Sequence, residues 1–437
     1  MGDHAVVLGA GMAGMAVARV LSDAYERVTI IERDELADNA ENRRGVPQGR
    51  HVHLLLARGG YILDELFPGF LDELVQAGAR AAHNLTDLYF SIGGHLLSQE
   101  NRSGDGTYLA SRPFLEAHVR RRLRAIKNIT ILEKCDVAGL IADTPGRVDG
   151  VRIHHRDRAE PEALSADVVV DAMGRAGRTP LWLKELGFQP APEEKLPIDL
   201  VYASQLLRLP PDIKVEKVIG IGAVPGRPTG LAMFAYENNT WLASAQGYRG
   251  HHPPSTWDGI LDFVRDFAPA HIMEALKQAE PLANVTTHHF PANQRRRYER
   301  LKQFPEGLLV FGDAICSYNP LYAQGMTVAM LQALALRDCL QRGTDNLARR
   351  FFRAAAKPID VAWQLNIGAD LAIPEVPGPR PLPLRMINKY VRRVQAAAGQ
   401  DPALSEQFLR VTSLMDPPTT LMRPWVLWRA FTSRAGR

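Results

Sequence analysis

The stretch Ala5-Val6-Val7-Leu8-Gly9-Ala10-Gly11-Met12-Ala13-Gly14 decides the fold. Its four leading apolar residues read as a buried parallel strand. The pattern G-x-G-x-x-G follows at once, and Met15, Ala16, Val17, Val20 and Leu21 carry it on as a helix with a small, apolar inner side. A second strand, Arg27-Val28-Thr29-Ile30-Ile31, ends in Glu32. The glycines serve different ends. Gly9 permits a tight turn, Gly11 lets the backbone approach a pyrophosphate, and Gly14 lets helix and strand pack closely. The pyrophosphate would lie against free N–H groups of the first helical turn, where Met12 and Ala13 stand. Glu32, with Arg33 beside it, has the spacing of a carboxylate that accepts hydrogen bonds from an adenosine ribose. A bare glycine motif also occurs at ordinary turns. Strand, glycines, helix, strand and terminal Glu in one unit point instead to a bound dinucleotide on an α/β fold.

That unit alone does not separate NAD from FAD. A late segment bears on the choice. Leu308-Leu309-Val310-Phe311 is another buried-strand run, closed by Gly312-Asp313-Ala314. Asn319-Pro320-Leu321-Tyr322-Ala323-Gln324-Gly325-Met326 and a long apolar helix follow. A strand ending in Gly-Asp places a carboxylate at the carboxyl edge of the sheet, where ligands bind. Asp313 could accept hydrogen bonds from a ribityl chain. The helix start after the loop offers a positive end to the N1/C2=O side of a reduced flavin. Asp313 as a plain turn or capping residue is the alternative; paired with the first unit, the flavin reading prevails.

The rest of the composition excludes several classes. With 46% hydrophobic and 23% charged residues, the 437-residue chain is a soluble globular protein long enough for two or three structural units. A net charge of +4 without a basic block argues against nucleic acid. The short clusters Arg120-Arg121-Arg122 and Arg295-Arg296-Arg297 read as solvated helix faces or loops. Cys135, Cys316 and Cys339 form neither a disulfide framework nor a metal signature, which suits a reducing cytoplasm. No apolar run spans a bilayer, and the start of the chain reads directly into a strand rather than a cleaved signal peptide.

Three blocks, in order, carry a family resemblance: Gly9 to Gly14, Val168-Val169-Val170-Asp171-Ala172-Met173-Gly174-Arg175, and Gly312-Asp313 through Met326. Together they resemble the single-component (class A) FAD-dependent monooxygenases. The stretch Arg44-Gly45-Val46-Pro47-Gln48-Gly49-Arg50-His51-Val52-His53, with Asn319-Pro320, is similar to bacterial polyether-type alkene epoxidases and squalene epoxidase relatives. The resemblance implies a Rossmann-like FAD-binding domain of the glutathione-reductase type, an inserted α+β substrate domain and a helical C-terminal region. It implies that Gly9, Gly11, Met12, Ala13, Gly14, Glu32 and Arg33 hold the ADP part of FAD. Arg43 or Arg44 would reach the pyrophosphate or ribityl region, and Arg112, at a helix start, would contact the flavin. Val137 and Asp171 also belong to the implied FAD site. Asp313 would bind the ribityl chain, and Pro320, Gly325 and Met326 would line the isoalloxazine. The middle block departs from the Asp-Gly of many aromatic hydroxylases, and the Trp-rich run of flavin halogenases is absent.

The domain boundaries expected on this basis are 1–78, 105–195 and 291–345 for the FAD-binding domain. Residues 79–104 and 196–290 would form the substrate domain, and 346–437 the helical C-terminal region. Residues 138–141 and 149–154 read as a β-hairpin around Asp143-Thr144-Pro145-Gly146. The aromatic, basic tail Pro424 to Phe431 reads as an amphipathic helix docked on the protein's own core, peripheral membrane contact being the other reading. The implied reaction inserts one oxygen atom of O2 into a small organic substrate, with alkene epoxidation through a flavin C4a-hydroperoxide favoured. Electrons would come from NAD(P)H, directly or through a separate flavin reductase. Aromatic hydroxylation, prenyl-chain reduction and a non-catalytic flavin-binding protein are the alternatives. No metal is implied. His51 and His53 are the catalytic candidates, although a role capping the next helix is equally open; His288 and His289 read as an edge strand.

Overall fold

In the computed structural model, which describes residues 2–158 and 160–433, the strand Gly2–Leu8 lies at the centre of a five-stranded parallel sheet. Tyr25–Ile31 and Val168–Asp171 flank it, and Ile129–Leu132 and Leu308–Val310 form the edges. Both faces are covered, so the strands read as continuous apolar runs and not as alternations. Leu8 is level with Ile31 and with Asp171, and Asp171 with Val310. The glycine turn, Glu32, Asp171 and the Gly312-Asp313 turn therefore leave the sheet along one edge. Helices Met12–Leu21 and Gly325–Leu340 cover one face of this sheet. A three-stranded antiparallel layer, Cys135–Ile141, Gly150–His155 and Glu162–Ser165, covers the other through Val151, Ile153 and Cys135. The expected hairpin is thus two strands of three; the third is short and half-exposed, with little apolar signal.

A second, mostly antiparallel sheet of nine strands is built around Glu193–Arg208, which pairs with Thr240–Tyr248 on one side and Thr286–Arg296 on the other. Its side chains alternate. Ala203, Leu207, Ala243 and Ala245 face helices Trp257–Val264 and Ala270–Gln278, while Tyr202 and Tyr248 face the opposite way. His288 and His289 lie in Thr286–Arg296 where that strand has a partner on one side only, an edge as expected.

The C-terminal region is helical: Leu347–Asp370, Leu382–Ala398, Pro402–Thr412 and Pro424–Thr432. The tail helix docks through Val426 and Ala430 but leaves Trp428 and Phe431 exposed. Among the described residues, no helix is long and apolar enough to cross a membrane. All three cysteines are free and buried.

The expected solvated arginine clusters fail, the first in part: Arg120 is buried and donates to the Ala37 carbonyl, while Arg121 stays exposed. Arg295-Arg296-Arg297 is not a solvated cluster. Arg295 is fully buried in Thr286–Arg296 and ion-paired with Asp360 at 2.6 Å and Glu299 at 3.3 Å; Arg297 pairs with Glu194 at 2.6 Å. Asp360 and Glu194 come from distant segments, which a local charge count does not register; Glu299 lies only four residues beyond Arg295.

Candidate active site

The glycine turn is fixed by close contact. Gly9 has φ +100°, a conformation a side chain would strain. A Cβ on Gly14 would lie 1.9 Å from the Gly9 carbonyl oxygen, so only glycine lets the helix begin there. A Cβ on Gly11 would meet nothing within 4 Å. Gly11 caps helix Met12–Leu21, and its neighbours Met12 and Ala13 open the first turn, where N–H groups lack helical acceptors. Open space before a helix N-terminus fits a diphosphate. Gly312 also approaches this turn, a Cβ there falling 2.6 Å from the Ala13 methyl. The first and last motifs thus meet.

Glu32 is buried at the end of its strand. Its carboxylate accepts hydrogen bonds from Ala10 N–H (2.9 Å) and Asp34 N–H (3.0 Å), and Arg43 Nη1 lies 3.0 Å away. Arg43 also meets Asp34 and Glu116 and donates to the Ala10 carbonyl. Burial opposes the charge on Arg43, but Glu116 and Glu32 more than restore it and raise its pKa. Glu116 in turn accepts from Arg112 Nε at 2.7 Å; despite burial, the two guanidiniums hold its carboxyl below the usual range. Arg43 and Arg112 are thereby locked beside the glycine turn, whereas Arg33 and Arg44 are exposed. Sequence reasoning missed Asp34 and Glu116, which carry no motif.

Asp313 keeps contact with solvent although protein atoms crowd round its carboxyl. Burial raises its pKa, and the positive charges of Arg112 and Arg175 pull it back. Arg175 is anchored by the Ala292 carbonyl (2.7 Å) and lies over the Phe290 ring at 4.9 Å. A Cβ on Gly325, the first residue of helix Gly325–Leu340, would be 3.8 Å from Asp313 Oδ1. Asp313, Gly325 and the half-buried Met326 therefore come together, with Pro320 exposed nearby on the turn. Asp171 differs: its buried carboxylate is spent on Met173 N–H and on the N–H and hydroxyl of Thr179. It shapes the turn beneath the site. Val137 is half-buried, and its carbonyl accepts from Arg178 at 3.1 Å.

His51 and His53 do not cap the next helix. That helix, Ala57–Leu66, is capped by Leu56 with no side-chain bond. His51 is buried against the large sheet. Its Nδ1 lies 2.8 Å from Ser204 Oγ, which donates on to Ser244 Oγ, and its ring packs edge-on against Tyr202 at 4.5 Å. Burial, with His288 and His53 nearby, lowers its pKa to about 3. His53 is lowered to about 4, by burial and then by Arg112. Both rings are neutral at physiological pH. Among the described residues, no group of three or more His, Cys, Asp or Glu is placed to hold a metal.

Residues 245–351 match the squalene epoxidase family model. The chain is 38% identical to protein Rv3254 of Mycobacterium tuberculosis, over 95% of this chain and 90% of that one. It is 26% identical to the 6-methylpretetramide 4-monooxygenase of Streptomyces rimosus, over 80% of this chain and 78% of that one. The chain belongs to the class A FAD-dependent monooxygenases. Its fold is similar to that of p-nitrophenol 4-monooxygenase from Pseudomonas putida DLL-E4, with a TM-score of 0.67 at 14% identity, covering 95% of this chain and 99% of that one. The protein is accordingly an oxidoreductase with FAD as cofactor, and NAD(P)H is the electron donor typical of its class. The open room at Gly11 and the solvent-reached Asp313 suit the two halves of FAD.

Proposed function

We propose that the protein epoxidises an alkene in an apolar organic substrate, taking one oxygen atom from O2. The observation that carries this reading is an apolar wall. Val52, Leu56, Leu206, Ala232 and Ala323 are half-buried and pack on a core of Leu54, Phe234, Tyr236 and Leu242. They come from the segment after Arg50, from the inner face of the large sheet and from the turn before Gly325. An apolar wall suits a hydrocarbon chain. His51 borders it as a neutral, feebly basic ring, which is poor equipment for ionising a phenol.

In this reading Gly11, Met12 and Ala13 take the pyrophosphate, Glu32 the ribose and Asp313 the ribityl chain. The start of helix Gly325–Leu340 faces the ring system, Arg112 and Arg175 hold positive charge beside Asp313, and the large sheet excludes water. FAD, when bound and reduced, supplies the activation of O2. Residues 79–104 and 196–290 form the substrate domain, and reduction by NAD(P)H is direct or passes through a separate reductase. The test is incubation with FAD, NAD(P)H and 18O2 over a panel of acyclic polyenes and phenols. The expected product is a polyene epoxide carrying one labelled oxygen. A labelled phenol would make the enzyme an aromatic hydroxylase, and a gain of two hydrogens without label would make it a chain reductase.

A further inference from the structure

The turn Asn319–Gly325 faces the proposed flavin site and makes few bonds of its own: Ala323 N–H donates to the Pro320 carbonyl at 3.0 Å and Tyr322 N–H to the Asn319 carbonyl at 3.4 Å. Asn319 caps its own short 3-10 segment by accepting from Leu321 N–H, and Ala323, a non-glycine residue, stands at φ +54°. What fixes the turn arrives from far along the chain. Asp370, the last residue of the 24-residue helix Leu347–Asp370, is fully buried. Its Oδ1 accepts from Asn319 Nδ2 (2.7 Å), the Tyr322 hydroxyl (2.8 Å) and the Tyr248 hydroxyl (3.2 Å); its Oδ2 accepts from Asn293 Nδ2 (2.6 Å). Asn366, one helical turn earlier on the same face, donates to Gln324 Oε1 at 2.8 Å.

This is a costly place for a carboxylate. It lies at the negative end of a helix dipole, and these four hydrogen-bond partners are all neutral donors. An apolar side chain would serve the helix better. The carboxylate gains only the junction: two donors from the turn, one from strand Thr240–Tyr248 and one from strand Thr286–Arg296.

We propose that Asp370 is a positioning residue for the oxygenation reaction, with Asn366 as its second grip: it pins the turn Asn319–Gly325 so that the N-terminus of helix Gly325–Leu340 is held toward the flavin ring. The inference rests on the FAD site proposed above. A loosened turn would let that positive helix end drift, and the reduced, anionic ring would lose stabilisation.

The test compares wild type with Asp370→Asn, each loaded with FAD. The readouts are the visible flavin absorption band and the equilibrium of reduced flavin with a reference redox dye. Asp370→Asn is expected to bind FAD, to shift the band, and to lower the reduced-flavin-to-dye ratio by roughly threefold to tenfold, the size of one weakened helix-dipole contact. A variant with lowered melting temperature but the wild-type band and ratio would overturn the inference, since Asp370 would then only stabilise the fold. If Asp370→Asn does not fold, Tyr322→Phe removes one donor and decides the matter. A shift of the same sign supports the inference, and an unchanged band and ratio overturns it. Wild type that takes up no FAD would instead defeat the reading of the site itself.

Discussion

The two halves of the site are built on different principles. The glycine turn at Gly9–Gly14 is held by close steric contacts: Gly14 against the Gly9 carbonyl within one strand-turn-helix unit, and the Ala13 methyl against Gly312 from the last strand's turn. The turn at Asn319–Gly325 is held by side chains gathered from Tyr248, Asn293, Asn366 and Asp370. The first half is local and steric, so it tolerates no methyl group at Gly14. The second is long-range and polar, so it responds to charge and to pH. Each half therefore has its own point of failure.

Gly14→Val should have the largest effect. With a Cβ 1.9 Å from a carbonyl oxygen, the helix cannot start, and no folded protein should be recovered by size-exclusion chromatography. Gly11→Ala should separate folding from binding. Its methyl meets nothing in the protein, so the thermal midpoint should stay unchanged while FAD affinity in a fluorescence titration falls about 100-fold, the worth of about two charge-assisted hydrogen bonds. Equal loss of both would erase the contrast between the two halves.

Acidification should act oppositely on two buried groups, His51 against the large sheet and Asp370 beneath the second turn. His51 has a folded pKa near 3, below its unfolded value of 6.5, so its contribution is complete above pH 6.5 and declines as pH falls toward 3. At pH 4.5 that loss is about 2–3 kcal/mol. Asp370 has the opposite sign. Burial raises its pKa from 3.8 to about 6, so its cost is fully present above about pH 6 and is relieved as pH falls toward 3.8. Stability measured by urea titration should therefore fall between pH 7 and 4.5. His51→Gln should flatten that slope and Asp370→Asn should steepen it; parallel slopes in all three proteins would refute the assignment. Asp313→Ala should have the smallest effect, about a tenfold loss of FAD affinity for one hydrogen bond to a charged group, with apo stability unchanged. Glu32→Ala is a less clean companion, because Glu32 already receives Ala10 and Asp34 N–H groups and its removal would strand Arg43.

The same contrast governs what was legible in the sequence. The strand, glycines and Glu32 stand within about thirty residues and obey fixed spacings, so their geometry could be read directly. Asp313 was legible because it ends a buried-strand run. The brace was not. Asp370 closes a long helix with no motif around it, and Asn293 lies inside a strand whose neighbours look unremarkable. Arg295 misled because three consecutive arginines look solvated when Asp360, its partner 65 residues on, is out of view. His51 stood out by its alternation with His53, but its partner Ser204 lies 153 residues away, and nothing in the local pattern tells a capping ring from one buried against a sheet.

Whether the chain holds FAD at this site is decided by titrating the purified protein with FAD, removing free cofactor and recording the visible absorbance. A stable flavin spectrum at one FAD per chain, diminished in Gly11→Ala, is expected. A wild-type protein that retains no flavin, even with FAD in excess, would contradict the site described above.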